Sequence, residues 1–473
     1  MVRASRSLFA IVVPLFVLAF LFSHSSRHRP EPTPPAEAEA EAKAKTPTDD
    51  IVLTEQTPEG LATTVISNVD ILPPSHLLTI DDDGQPVIDK EAYRIIYSNS
   101  TVSGNYFPIF LGGGTGSNPN IIPHPTKFEA WIVLVQKVPS KAPEDFSSQL
   151  ICNAGFLNDV LTCMAEPTPL MLESTKGTCQ DELGHYNFEH GPRDARLFYG
   201  PVAPYILYGS HSQYTCLGMW LQDFRMLLDD YRIEAVLAKD FIKPTELQRP
   251  PPFKGIEKNF FVFWDMAGDI YLQSDLVPKR VFAKVDLDGS IGPDLAPLAA
   301  DTDDKCLARY MPAAVLEKSA IQQSTNSLAI TLCRRADPKC KPTDQNTFVL
   351  TLFHYKTAFD GHSIYEPYVM LFQRAAPFAV HAISTKPLWI AGRSKFSKYS
   401  GNVHWEDRTD LPENHSEMFY VRSLTWRSHG QKYHGYIDDI LFLGFGIEDS
   451  RPGAIDVVAS DLLQDLGFCA DIK

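Results

Sequence analysis

The chain has 473 residues, 44% of them apolar and 21% charged, and 58 acidic against 43 basic side chains leave a formal net charge of −15. That apolar share can build a sizeable core and excludes wholesale disorder, while the acidic balance excludes a protein built for non-specific nucleic-acid binding, which must neutralise phosphates with Lys and Arg. The length allows two or three domains, or one large β architecture with appendages.

Arg3 and Arg6 precede an apolar run from Leu8 to Phe22 that contains one proline, Pro14. As a helix it would span about 22 Å at ~1.5 Å per residue, short of a ~30 Å hydrocarbon core. Two readings fit: a secretory signal peptide ending near Ser23 and Ser25, or a signal anchor extended to Ser26 and suited to the thinner membranes of the early secretory pathway. Residues 1–29 are assigned to this segment, with the anchor as the leading expectation. Residues 30–50 (PEPTPPAEAEAEAKAKTPTDD) lack aromatic and branched aliphatic side chains and predict a disordered stalk.

Either reading delivers the remainder to an oxidising lumen, where the eight cysteines are expected to pair. Their spacing has no CxxC pair and no Cys/His pattern for zinc, and it leaves the connectivity open. The sequons at Asn99 and Asn414 predict N-glycosylation.

Beyond a lead-in over residues 51–110, short runs rich in aromatic and β-branched residues alternate with Gly, Pro, Asn and Asp. Strands are predicted at Ala130–Val138, Arg196–Tyr199, Tyr205–Tyr208, Phe260–Trp264, Ile270–Leu272, Arg280–Val285, Thr347–His354, Tyr368–Phe372 and Ile440–Leu443. Helical periodicity is weak outside Trp220–Ala238, read as mixed strand and helix, and Asp456–Leu466. So many short strands predict an all-β fold, and residues 111–473 overfill a single sandwich. A propeller accommodates them. Segment starts near Asn118, Gly191, Lys258, Thr347 and Phe419 match five blades without a strong repeat signature.

Several phrases carry chemistry. Gly191-Pro192-Arg193-Asp194-Ala195-Arg196 opens one unit, Lys258-Asn259-Phe260 another, Phe348–Lys356 contains His354, and Ile440–Val458 contains Asp449. In order and spacing these phrases make the chain resemble the five-bladed propellers acting on β-mannosides, a group of inverting phosphorylases and hydrolases; it is also similar to fungal β-mannosyltransferases of the secretory pathway. The strand from Asp269 to Ser274 lacks the arginine with which the phosphorylases grip phosphate. This departure tilts the expectation towards transfer from a nucleotide sugar to a glycan acceptor, within a Golgi type II membrane protein whose catalytic domain faces the lumen. The alternatives are a β-glycoside hydrolase or phosphorylase, secreted or anchored, and a catalytically silent glycan-binding propeller.

Chemistry at a glycosidic oxygen needs a carboxyl group that exchanges a proton with it. Asp194 is the candidate catalytic base, since Arg193 and Arg196 beside it would favour its ionised form. Arg193, Arg196, Lys258, Asn259, His354 and Asp449 are the candidate substrate-binding residues. His185, Glu189 and His190 are read as a polar loop, His434-Gly435 as a loop, and the Asp-x-Asp at Asp286 and Asp288 and the Asp301–Asp304 stretch as surface turns. No cofactor and no metal site is expected.

Overall fold

The computed structural model describes residues 78–82, 86–138, 148–173, 177–188, 192–231, 240–314, 318–359, 362–396 and 414–472. The N-terminal apolar run, the stalk and the first part of the lead-in lie outside them. Among the described residues no helix is long and apolar enough to cross a membrane.

Strands dominate, and every strand expected from the sequence forms. They make five antiparallel meanders. The first runs Gly116–Pro123, Trp131–Lys137, Gln149–Leu157 and Val160–Cys163. The second is Arg193–Tyr199, Pro204–His211, Leu217–Asp223 and Thr245–Leu247, and the third is Phe261–Trp264, Ile270–Asp275 and Val281–Lys284. The fourth contains Leu328–Thr331, Thr347–Phe359, His362–Gln373 and Val380–Ser384, with Ser319–Gln323 on the far half of its longest strand. The fifth is Phe419–Trp426, Ile440–Ile447 and Arg451–Val458, and its outer strand is Phe107–Phe110, from the start of the domain.

Each sheet packs between two others, so its strands read as continuous apolar runs. Pro204–His211 and Leu217–Asp223 are buried at every position. The period-2 rule divides one strand between two interfaces: Leu197 and Tyr199 pack with Ile122, Ile132 and Leu134 of the first sheet, whereas Phe198 packs with Val262 and Trp264 of the third. Further clusters join the third sheet to the fourth, the fourth to the fifth, and the fifth back to the first.

The first strands of successive meanders share no backbone ladder. Side chains bridge them instead. Asn120 donates to the Ala195 carbonyl at 3.0 Å and accepts from Leu197 N–H at 3.0 Å, joining first and second sheets. Arg196 donates to the Phe260 carbonyl at 2.6 Å, and Gln323 to the Asn259 carbonyl at 3.1 Å. Asn326 bonds both the N–H and the carbonyl of Leu424 at 2.9 Å, and Ser423 donates to the Pro119 carbonyl at 2.9 Å. These bonds form a closed circuit through all five sheets.

The eight cysteines form four disulfides, Cys152–Cys163, Cys179–Cys216, Cys306–Cys469 and Cys333–Cys340, as an oxidising, lumenal or extracellular setting requires. Three local expectations are corrected, and the described part of Trp220–Ala238 is the mixed strand and helix expected of it. Asp456–Leu466 is not helical throughout: the strand Arg451–Val458 pairs along Ile440–Ile447, and only Ala459–Leu462 is helix. From Trp220 the chain continues as strand to Asp223, which caps a short 3-10 turn; residues 232–239 lie outside the described set. The Asp301–Asp304 stretch opens the helix Ala300–Tyr310, with Asp303 buried to meet Arg280 at 3.1 Å. His434-Gly435 forms a strand parallel to Leu328–Thr331.

Phe107–Phe110 belongs to two sheets, pairing with Gly453 and Ala454 on one side and with Leu161 and Thr162 on the other. Phe107 is fully buried, 4.9 Å from the Phe156 ring and 5.9 Å from Phe442. Phe107→Ala is expected to cost roughly 3–5 kcal/mol, read as a lower urea midpoint with an unchanged slope.

Candidate functional site

The first residues of the inner strands do something that regular strands do not. Asn118, Asp194 and Asn259 all adopt left-handed backbone, with φ of 54°, 56° and 63°. Asn and Asp tolerate this region best among non-glycine residues. At Asn118 and Asp194 the ladder slips by a bulge, between Ser117 and Asn120 and between Arg193 and Arg196; a third slip lies between Val421 and Ser423, around Arg422. Bulges re-aim side chains, and these gather polar groups at one end of the inner strands.

Asp194 is held there by its backbone. Its N–H donates to Gln136 Oε1 at 3.0 Å, its carbonyl accepts from Arg422 Nη2, and its carboxylate lies 3.4 Å from the same nitrogen. The side chain is 55% exposed and so open to a ligand. Arg196 is fully buried, donating to the Phe260 carbonyl and, at 3.1 Å, to Asn259 Oδ1. Burial, with Arg422 nearby, pulls its pKa down to about 10. Arg193 sits with its guanidinium 5.5 Å from the Tyr186 ring. Arg193, Asp194, Arg196, Lys258 and Asn259 line one cavity of about 160 Å3 together with Arg422 and Tyr186. Lys258 is exposed at its edge.

His354 and Asp449 are outside that lining. His354 is fully buried with no hydrogen-bond partner on either ring nitrogen, its ring 4.9 Å from Tyr420 and 5.3 Å from Tyr365. Burial first, then the charges of Arg393, Arg196 and Arg422, push its pKa down to about 3. It is therefore a neutral wall behind the arginines. Asp449 reaches solvent, yet neighbouring protein atoms desolvate its carboxyl and raise its pKa; the negative charges of Asp194 and Glu448 raise it further, against a hydrogen bond from Asn118. Lys356 feels both Lys258 and Asp449. Asp449 is thus within electrostatic reach of Asp194, and Lys356 within reach of both Lys258 and Asp449.

Sequence reasoning missed Asn118, Gln136, Tyr186, Lys356 and Arg422. The left-handed Asn/Asp step is the signal that was available: SNPN, PRDAR and EKNF place Asn118, Asp194 and Asn259 at one structural position. Nothing comparable marks Arg422 within its apolar strand. His185 is exposed on the 3-10 turn Asp181–Phe188, bonded at 2.9 Å to the Glu182 carbonyl, and Glu189 and His190 lie outside the described residues. Asn99 is exposed, whereas Asn414 is half-buried and accepts from Lys395 Nζ. Asp288 makes the expected turn, bonding Ser290 at 2.5 Å. Among the described residues no group of His, Cys, Asp and Glu is arranged to hold a metal ion.

No family model matches the chain, and no curated protein matches it. Solved structures similar to it include a β-1,2-mannobiose phosphorylase from Listeria innocua in complex with β-1,2-mannobiose, at 12% identity over 75% of this chain and 94% of that one, with a TM-score of 0.41. A thermostable family-43 glycoside hydrolase matches at 10% identity over 76% and 91%, with a TM-score of 0.32. An α-L-arabinofuranosidase from Lactobacillus brevis matches at 11% identity over 74% and 92%, with a TM-score of 0.34. These are glycoside hydrolases and a phosphorylase, and the expectation of a nucleotide-sugar glycosyltransferase is corrected on that finding. The site supplies a physical reason as well. The transfer reading leaned on Arg193 and Arg196 ionising Asp194, but Arg196 is spent on Phe260 and Asn259, and a second carboxyl with a raised pKa stands nearby.

His354 gives this site a pH signature. Its folded pKa lies below the ~6.5 of an unfolded histidine, so the unfolded chain binds the extra proton and stability falls as pH drops from about 6.5 towards 3. His354→Gln is expected to remove on the order of 2 kcal/mol of that loss, seen as a flatter dependence of the urea midpoint between pH 7 and 4.5.

Proposed function

We propose that this protein is a glycoside-cleaving enzyme on a five-bladed β-propeller, acting on β-glycosides, with Asp449 as general acid and Asp194 as base. One observation carries the reading: two carboxyl groups lie within electrostatic reach of each other, and the surroundings of Asp449 favour its protonated form. Paired carboxyls set apart by environment divide acid and base roles between them. The five meanders, each packed on two others, support the blade count.

In this reading the sugar enters the cavity beside Asp194, Arg193 and Lys258. Asp449 donates its proton to the glycosidic oxygen as the bond from that oxygen to the anomeric carbon breaks. Asp194, ion-paired with Arg422, accepts the proton of a water whose oxygen forms the new bond to the anomeric carbon. In the phosphorylase variant inorganic phosphate replaces that water, and the cavity cations would receive it. Four disulfides support action in the secretory lumen or outside the cell.

The test is turnover of aryl β-glycosides and β-linked disaccharides by the purified protein, with and without phosphate. Asp194→Asn and Asp449→Asn should each lower kcat by about 10²–10⁴; full activity in either variant overturns its role. The rate should fall as pH rises through the raised pKa of Asp449. In Asp194→Asn the neighbouring negative charge is gone, so the residual activity should lose its alkaline limb at lower pH than the wild type does.

A further inference from the structure

Asp449 is carried on an unusual turn. The hairpin between Ile440–Ile447 and Arg451–Val458 closes with Ser450 N–H bonding the Ile447 carbonyl at 3.1 Å. Both of its central residues are left-handed, Glu448 at φ 51° and Asp449 at 47°. Turns of this hand normally use Asn-Gly, Asp-Gly or Gly-Gly, and a non-glycine residue held there persists only where its surroundings over-determine it.

The surroundings do so through Glu448. Its side chain is completely buried; one carboxylate oxygen accepts the Met418 N–H at 2.6 Å, and the other lies 3.0 Å from His362 Nε2. His362 is itself buried, with its ring 5.3 Å from those of Phe396 and His415. The pair thus ties the turn to the start of the strand His362–Gln373 and to the backbone just before Phe419–Trp426. A hairpin tip has no need of a buried carboxylate clamp to make this turn, since glycine would make it without strain.

We propose that Glu448 and His362 are positioning residues that hold Asp449 over the mouth against the backbone preference of its own turn. This rests on Asp449 acting as the acid, as argued above. The charged and titratable groups facing Asp449 are Glu448 beside it, Asp194 from the second sheet, His362, and Lys356 and Tyr365 from the fourth sheet, with the Asn118 amide bonded to it. Glu448 therefore acts twice, by geometry and by a negative charge that favours the protonated acid.

Two Glu448 variants separate these effects. Glu448→Gln can still accept the Met418 N–H, so kcat at the optimum should stay within about threefold while the alkaline limb moves to lower pH. Glu448→Ala loses the clamp, and kcat should fall at least tenfold with KM within twofold; His362→Ala should act in the same direction. Asp449→Gly, which relaxes the turn, should raise Tm by a few degrees while abolishing activity. Unchanged kcat in Glu448→Ala, an unmoved limb in Glu448→Gln, or an unchanged or lower Tm in Asp449→Gly overturns the proposal. If Asp449→Asn is fully active, the assignment of the acid fails first; if it is inactive while Glu448→Ala is active, only the positioning role fails.

Discussion

The inner strands of the five sheets lie side by side without a shared backbone ladder, and the whole site follows from how that gap is bridged. A strand edge buried without partners leaves backbone groups unsatisfied at about 1–3 kcal/mol each. Here side chains satisfy them: Asn120 between first and second sheets, Arg196 between second and third, Gln323 between third and fourth, Asn326 between fourth and fifth, and Ser423 between fifth and first. Because these bridges are polar, the inner strands carry polar side chains before any ligand is considered.

The circuit also explains the local charge. A guanidinium is weakly hydrated and presents five donors in a fixed fork, so Arg196 can reach the Phe260 carbonyl and the Asn259 amide at once. Arg422 does the same kind of work on the Asp194 carbonyl. These cations are placed by structure, yet they also flank the cavity, giving a chain of net charge −15 a basic pocket. His354 pays for its position behind them by remaining neutral. Architecture and electrostatics therefore share the same side chains, and a substitution at Arg196 would disturb both.

Much of the fold was legible in the sequence. Runs such as Trp131–Lys137 and Thr347–Phe359 are so apolar and β-branched that strand was the only consistent reading. The acidic helix at Ala300–Tyr310 escaped because Asp303 reads as solvated until Arg280 is seen across from it. Arg193, Asp194 and Arg196 were named from one phrase and Lys258 and Asn259 from another, and the structure places all five on the lining of one cavity. Arg422 was invisible because a lone arginine inside FYVRSLTW says nothing about the distant Asp194 it reaches. The reaction class was misjudged for a related reason: local charge beside Asp194 was readable, but the approach of Asp194 to Asp449 joins strands remote in sequence.

The outer strand of the last sheet comes from the beginning of the domain, and this sets an order of events during synthesis. Ser98 bonds Asp456 across a separation of 358 residues, and Phe107 pairs with Ala454. At 5–20 residues per second, the early segment waits roughly 20–70 s for its partner to be made. Until then the edge that Phe107–Phe110 will cover does not exist, and Phe107 has only the first-sheet half of its pocket, the side of Phe156, without Phe442. The nascent chain therefore stays an open array of sheets, one side of this strand uncovered, until its last sheet has been made.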